Sequence, residues 1–110
     1  MKILVVVHTR DTFFALGSKR QAELLEDSFA FVERQKKSGV CKEMYYLPGY
    51  KGTASIWEVE SAEEITLRFL ENPMSTYEEA QIYMLSDWKS FVNITRKLYH
   101  RRVYHRKQDD

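Results

Sequence analysis

The sequence predicts one α+β domain whose elements follow in the order β-α-β-β-α-β, with an additional helix at the C-terminus. Three observations predict it: a β-branched run at residues 3–7, two stretches with helical apolar spacing, and short strand-like segments around them. At 110 residues the chain is long enough for one core without disulfides. Its aromatic content of 14% and net charge of +1 exclude intrinsic disorder.

The first two elements are a buried strand and a long helix. Residues 3–7 do not alternate between apolar and polar, which is typical of a strand covered on both faces. Apolar residues then recur three and four apart, and Gly39 lies where a helix C-cap is expected. The stripe predicted to face the core consists of Ala22, Leu25, Phe29, Val32 and Gln35.

Three further segments have strand character. Residues 40–47 and 53–60 flank a turn that contains Pro48 and Gly49, and residues 77–85 alternate in polarity. With the helices between them, these strands give the split βαβ, or ferredoxin-like, arrangement: a four-stranded antiparallel sheet with two helices on one face.

The second helix has a clear start and end. Ser61 and Glu64 form a capping-box pattern, in which the Ser61 hydroxyl accepts from the Glu64 amide and the Glu64 carboxylate reaches back to the Ser61 amide. The helix ends before Pro73, because proline disfavours helical geometry in the preceding residue.

We divide the chain into a ferredoxin-like domain at 1–85 and a C-terminal amphipathic helix with a basic tail at 86–110. The helix is expected at about 87–103, with Ser86 or Asp87 as its cap. Residues 1–85 hold 10 basic and 13 acidic side chains, a balance of −3, whereas residues 86–110 hold 7 and 3, a balance of +4. Nucleic-acid binding by this basic helix is disfavoured, since the third strand lacks the basic-glycine-aromatic signature of RNA-binding sheets.

Two helices on one face leave the other face of the sheet uncovered. We assign Tyr46, Trp57 and Tyr83 to that face and expect a second copy of the chain to cover it. The predicted partner is therefore the same chain, in a homodimer formed through the sheet face.

Six short segments carry a more specific pattern of turns, caps and core positions. They are KILVVV at 2–7, KSG at 37–39, LPGY at 47–50, SIWEVESAEE at 55–64, NPM at 72–74 and IYML at 82–85. In these segments the chain resembles the muconolactone isomerase-like branch of the dimeric α/β-barrel superfamily. The resemblance covers about residues 2–86.

This resemblance implies a dimer with facing sheets and a ligand pocket between the sheet and surrounding elements. Isomerases of that branch rearrange a small unsaturated lactone by proton transfer without a cofactor. The chain differs from them at Tyr50, where they tend to carry a histidine, and in its long C-terminal helix.

His8 and Glu58 are the predicted proton-transfer residues. His8 ends the first strand, and an ordinary histidine titrates near neutral pH. Glu58 shares a strand face with Ala54 and Ile56, so burial is expected to raise its pKa toward that of a general base. The alternatives are a hydrogen-bonded strand-end histidine and a salt-bridge glutamate at a sheet edge or dimer contact.

Aromatic side chains are the predicted ligand-binding residues. Tyrosine hydroxyls and an apolar wall would orient a small aromatic ligand. Dimer packing by the same side chains is the alternative. The four residues are Tyr46, Tyr50, Trp57 and Tyr83.

Two functional hypotheses follow for a chain that we expect to be cytoplasmic. The first is a small-molecule-binding protein that acts as a cofactor-free isomerase or monooxygenase on a small cyclic or aromatic compound; the second is a non-catalytic dimeric interaction or ligand-sensing module. A cavity of several hundred Å³ at the sheet face would favour the first.

No metal is expected because His100 and His105 do not share a helix face, and Cys41 is expected to be a buried core thiol. The sequence contains no run of about 20 apolar residues, so it predicts no membrane span.

Overall fold

The computed structural model describes the backbone of residues 1–109 and the side chains of residues 1–103. It confirms the predicted order of strands and main helices and adds a short helix, α1, and a 3-10 turn at Ser75–Tyr77. The elements are β1 Lys2–Thr9, α1 Asp11–Phe14, α2 Ser18–Lys37, β2 Cys41–Leu47, β3 Gly52–Glu58, α3 Ala62–Glu71, β4 Glu78–Met84 and α4 Trp88–Asp109.

The four strands form one antiparallel sheet in the order β2-β3-β1-β4. Val5 at the centre of β1 lies opposite Ser55 of β3 and Ile82 of β4. The two central strands are thus the first and third in the chain, which is the ferredoxin-like topology that the sequence predicts.

The main core lies between the sheet and the layer formed by α2 and α3. Ile3, Val5 and Val7 alternate along β1 and pack in one buried cluster with Phe31 of α2 and Ile65 of α3. The intervening β1 residues point to the opposite face, because successive strand side chains alternate. The lack of polar alternation in β1 therefore reflects two apolar faces, of which the helices cover one.

The buried stripe of α2 agrees with the predicted one at Gln35, with Leu25 and Val32 partly buried against the core, and differs from it at Ala22 and Phe29. Ala22 is exposed and Phe29 is 56% exposed. Both stripes have helical spacing and carry apolar residues, so periodicity alone does not select between them. The residues that α2 buries are Leu24, Ser28, Phe31 and Gln35.

The cap of α3 confirms half of the predicted capping box. The Glu64 amide donates to Ser61 Oγ at 3.1 Å, as expected. The Glu64 carboxylate, however, accepts at 2.7 Å from the amide of Glu60 instead of that of Ser61. The helix ends at the C-cap Asn72, immediately before the proline.

The hairpin between β2 and β3 depends on unusual backbone geometry. Gly49 has a φ of 81° and Lys51 a φ of 54°, both in the left-handed region. Gly52 then passes so close to β1 that a Cβ atom built on it would lie 1.8 Å from the carbonyl oxygen of Val7. Glycine is required here by close approach of the two strands.

Helix α4 projects away from the domain. Asp87 Oδ2 accepts from the Ser90 amide at 2.9 Å, which confirms the predicted cap, and the helix continues beyond the predicted end at 103. The radius of gyration is 20.0 Å, against about 13 Å for a compact chain of this length. Trp88 is 73% exposed and Ile94 67%. The side chains of the basic tail beyond Val103 lie outside the described residues.

Among the helices that the structure describes, none has both the length and the apolar character needed to cross a membrane.

Candidate functional site

A cavity of about 470 Å³ lies between the sheet and the helices. Its floor includes Val5, Val7 and Ser55 from the two central strands, and its roof includes Phe31 and Ile65. Valine and serine side chains at the centre of the sheet are short, and beside the packed cluster they leave space between the sheet and the helices. This cavity lies under the helices and not at the open sheet face, where the sequence predicts one; a cavity between the facing sheets of a dimer stays a prediction.

One end of the cavity carries a fixed polar group, the Asn72 amide. Its Oδ1 accepts from the Met74 amide at 3.0 Å and from the Ser28 hydroxyl at 3.0 Å. A backbone N–H can only donate, so the Met74 contact defines which amide atom is the oxygen. The Asn72 Nδ2 group is then the one available to donate to a ligand that enters the cavity.

Glu78 lines the cavity, and the pKa of its carboxyl group is strongly raised. It begins β4 and lies opposite Thr9, on the helix-facing side of the sheet. Burial raises the pKa of Glu78 to about 7, because the apolar surroundings disfavour its ionised form. Such a group exchanges protons readily at neutral pH.

Glu78 is not among the site residues predicted from the sequence, although the sequence carries a signal for it. The residue precedes Ala80 and Ile82 at the two-residue spacing of a strand. Since these apolar residues mark the face that packs on helices, a glutamate in the same register faces the core. An acidic residue at an apolar strand position is the signal that could have identified it.

A second chamber of about 390 Å³ adjoins the first. It lies beneath the β2–β3 hairpin and α1, where Lys51 and Phe14 line it. Five residues line both chambers: Ser28, Phe29, Tyr46, Thr53 and Glu78. The two chambers are thus neighbouring parts of one site, with Glu78 at the wall that they share.

The structure brings two of the predicted ligand-binding residues together in the cavity. Tyr46 and Trp57 both line it, on the helix-facing side of the sheet. The Trp57 indole donates to Ser55 Oγ at 2.8 Å, so its polar atom is already satisfied. The assignment of these two residues to the uncovered face is wrong, since Trp57 lies in register with buried Ile3.

The other predicted aromatic residues lie elsewhere. Tyr83 pairs with Leu4 on the open face and donates to Gln81 Oε1 at 2.9 Å. Tyr50 packs edge-on against His8, with ring centroids 5.0 Å apart. His8 and Tyr50 are absent from the lining of both chambers.

Glu58 forms an ion pair instead of a buried base. Its Oε1 lies 2.8 Å from the N-terminal amine. The hydrogen bond from that amine, together with the charges of the amine, Lys2 and Lys42, holds the pKa of Glu58 below its usual range. The expectation that burial raises the Glu58 pKa is wrong, and the salt-bridge alternative describes its contact.

Cys41 is buried, as predicted, and desolvation raises the pKa of its thiol. Its Sγ donates to the Glu43 carbonyl at 3.6 Å. Within residues 1–103, no three histidine, cysteine, aspartate or glutamate side chains come together as a metal site would require.

Together, these features define a ferredoxin-like α+β protein with an apolar cavity between its sheet and its helices. A solved structure with the same fold is that of muconolactone isomerase, with a TM-score of 0.67 and 18% sequence identity over 79% of this chain and 90% of that one. This similarity shows a muconolactone isomerase-like fold. No family model matches the sequence, and no curated protein matches it.

Proposed function

We propose that the protein binds a small cyclic or aromatic compound in this cavity and catalyses cofactor-free proton transfer on it. The observation that supports this most directly is the position of Glu78, a carboxyl group with a pKa of about 7 at the wall of a largely apolar cavity. A volume of about 470 Å³ lies in the range of small-molecule sites.

Glu78 is the proposed acid–base group. In a ligand whose C=C bond lies one carbon away from a carbonyl, the Glu78 carboxylate removes a proton from the carbon between them, and the electron pair is delocalised onto the carbonyl oxygen to give a dienolate. The protonated Glu78 then returns the proton to the far carbon of the former C=C bond, so the double bond moves next to the carbonyl and no atom is gained or lost. Apolar surroundings favour the neutral acid and thereby support the first transfer.

The Asn72 amide is the proposed donor to the enolate oxygen. Because Ser28 and the Met74 amide hold its Oδ1, the Nδ2 group has a fixed direction before a ligand arrives. A preorganised donor stabilises developing negative charge more than a mobile one does.

The alternative hypothesis is a non-catalytic dimeric interaction or ligand-sensing module. The cavity favours small-molecule binding over a pure interaction module, which has no need for unfilled space, whereas a ligand-sensing module would share the cavity and lack the proton transfer. A catalytic role for His8 or Glu58 stays a prediction, and neither is used in the proposed proton transfer.

Deuterium exchange tests the proposal without knowledge of the product. Wild-type protein would be incubated in D₂O with a panel of unsaturated lactones and cyclic ketones, and C–H to C–D exchange followed by NMR. We expect exchange with at least one compound, and Glu78→Gln to abolish it. Glu79→Gln is the matched control, because its side chain lies on the opposite sheet face and is 67% exposed. Equal exchange with Glu78→Gln and wild type would refute the role of Glu78.

We also propose that the open sheet face joins two copies of the chain. Leu4, Val6 and Ile56 lie side by side there and are only half-buried, without a helix above them. Tyr45 and Tyr83 extend this apolar surface and are 56% and 48% exposed. The opposite charges of residues 1–85 and 86–110 favour contact between the body of one copy and the basic helix of another.

Light scattering at several concentrations tests the dimer. We expect a dimer for the wild type and a monomer for Ile56→Lys, which places a charge in the centre of the face. Leu67→Lys on α3 is the control, because Leu67 is 57% exposed and is not on the sheet. A wild type that stays monomeric throughout would refute the proposal.

A further inference from the structure

We propose that the second chamber is a subsite for the anionic group of an elongated ligand, and that Lys51 recognises this group. The ligand class is then a cyclic or aromatic carboxylic acid whose apolar body occupies the first chamber. This inference rests on the proposed function and adds a substrate class to it.

The two chambers are placed to hold one ligand. They share lining residues from α2, β2, β3 and β4, among them Phe29 and Tyr46. Because Glu78 lies at the shared wall, a ligand that extends through both chambers would place its middle at the proposed acid–base group.

The second chamber has one cationic side chain. Lys51 and Glu78 are the charged residues among those that line it. Within the described side chains, Lys51 forms no ion pair, unlike Arg68 of the first chamber, which lies 3.6 Å from Glu64. A ligand carboxylate would therefore meet an ammonium group that is not already paired with a protein carboxylate, and Glu78, the other charged residue of the chamber, is neutral when it holds its proton.

The hairpin and α1 hold Lys51 at this position. Its φ of 54° lies in a region that non-glycine residues seldom adopt, and such geometry persists only where the surroundings impose it. Its carbonyl accepts from the Thr9 amide at 2.8 Å. Its ammonium lies 5.0 Å from the centre of the Phe14 ring, which also lines the chamber. Backbone and side chain are thus both anchored at the chamber.

A pair of dyes that differ in one charged group tests the subsite. The probes are 1-anilinonaphthalene-8-sulfonate and N-phenyl-1-naphthylamine, which share the same rings and differ in the sulfonate. Fluorescence titration gives the Kd of each dye. Amide NMR shifts at Thr53 and Glu78 establish whether each dye occupies the chambers.

We expect Lys51→Gln to weaken binding of the sulfonate dye about three- to fivefold, the upper part of the range for a partly exposed charge contact. Binding of the neutral dye should change less than about twofold, which also shows that the variant is folded. Lys42→Gln is the control, since Lys42 is an exposed β2 lysine that lines neither chamber.

Two results would overturn the inference in distinguishable ways. If both dyes shift the chamber amides and Lys51→Gln changes their affinities equally, the anion subsite is refuted while the proposed function stands. If neither dye shifts those amides, the cavity does not take up such compounds, and both the subsite and the proposed function are refuted.

Discussion

Replacing Glu78 with glutamine should stabilise the protein at alkaline pH and have almost no effect in acid. Burial raises the pKa of Glu78 from 4.5 to about 7, so the folded protein binds this proton more tightly than the unfolded chain does. Between these two pH values the unfolded chain holds fewer protons, and the stability of the wild type therefore falls as pH rises through this window.

The magnitude follows from the difference in proton affinity. Each pKa unit, a tenfold change in proton affinity, corresponds to about 1.4 kcal/mol. The rise in the Glu78 pKa from 4.5 to about 7 therefore means that the ionised carboxylate destabilises the fold by roughly 3 kcal/mol above pH 7. Below pH 4 the carboxyl is protonated in both states and this cost disappears. Glutamine has nearly the same shape and is never ionised, so the variant avoids the cost at every pH. Against a typical total stability of about 5–15 kcal/mol, the effect is readily measurable.

Urea unfolding at pH 4 and pH 8 measures the free energy of unfolding of both proteins. The gain from Glu78→Gln should be roughly 3 kcal/mol larger at pH 8 than at pH 4. Glu79→Gln, at an exposed position of the same strand, should change the unfolding free energy by less than about 0.5 kcal/mol at either pH. A gain from Glu78→Gln that is equal at both pH values would show that Glu78 is not buried as a neutral acid.

Three further predictions concern the frame around the site. Gly52→Ala should cost several kcal/mol or prevent folding, because its Cβ would collide with the Val7 carbonyl; Gly17→Ala, with open space around it, should cost at most about 1 kcal/mol in the same urea titration. Ser61→Ala should cost about 1 kcal/mol by removing the side-chain acceptor at the start of α3, and an unchanged urea midpoint would contradict this. The NMR pKa of Glu58 should rise when an added N-terminal residue displaces the amine that binds it; an unchanged value would assign its low pKa to the neighbouring lysines.

Element order could be predicted because each element has its own local signal. The start of α3 follows from the Ser61 hydroxyl and its end from the proline after Asn72, and the structure has both. Helix α1 was missed because four residues are too few for apolar periodicity to appear. The Glu64 carboxylate accepts from the Glu60 amide and not from the adjacent Ser61 amide, and the sequence motif does not determine which of these two donors is used.

The faces of the sheet could not be predicted with the same success. In β3 the residues facing the helices include Ser55 and Trp57, and those facing away include Ala54 and Ile56. Both sets contain apolar side chains, so alternation does not identify the face that the helices cover. The sequence therefore assigns Trp57 to the wrong side of the sheet, and the cavity of the single chain lies on the face opposite to the predicted one.

The proposed site and the proposed dimer surface lie on opposite faces of one sheet, and this makes them separable by experiment. Ile56 belongs to the open face, whereas Ser55 beside it in the chain lines the cavity. A lysine at position 56 points away from the cavity and should leave the affinity for N-phenyl-1-naphthylamine within about twofold while it breaks the dimer. A monomeric Ile56→Lys protein that no longer binds the dye would contradict this reasoning, because the cavity would then depend on the second copy. The Leu67→Lys control should keep both the dimer and the dye, since its side chain is exposed on α3 and lines neither chamber.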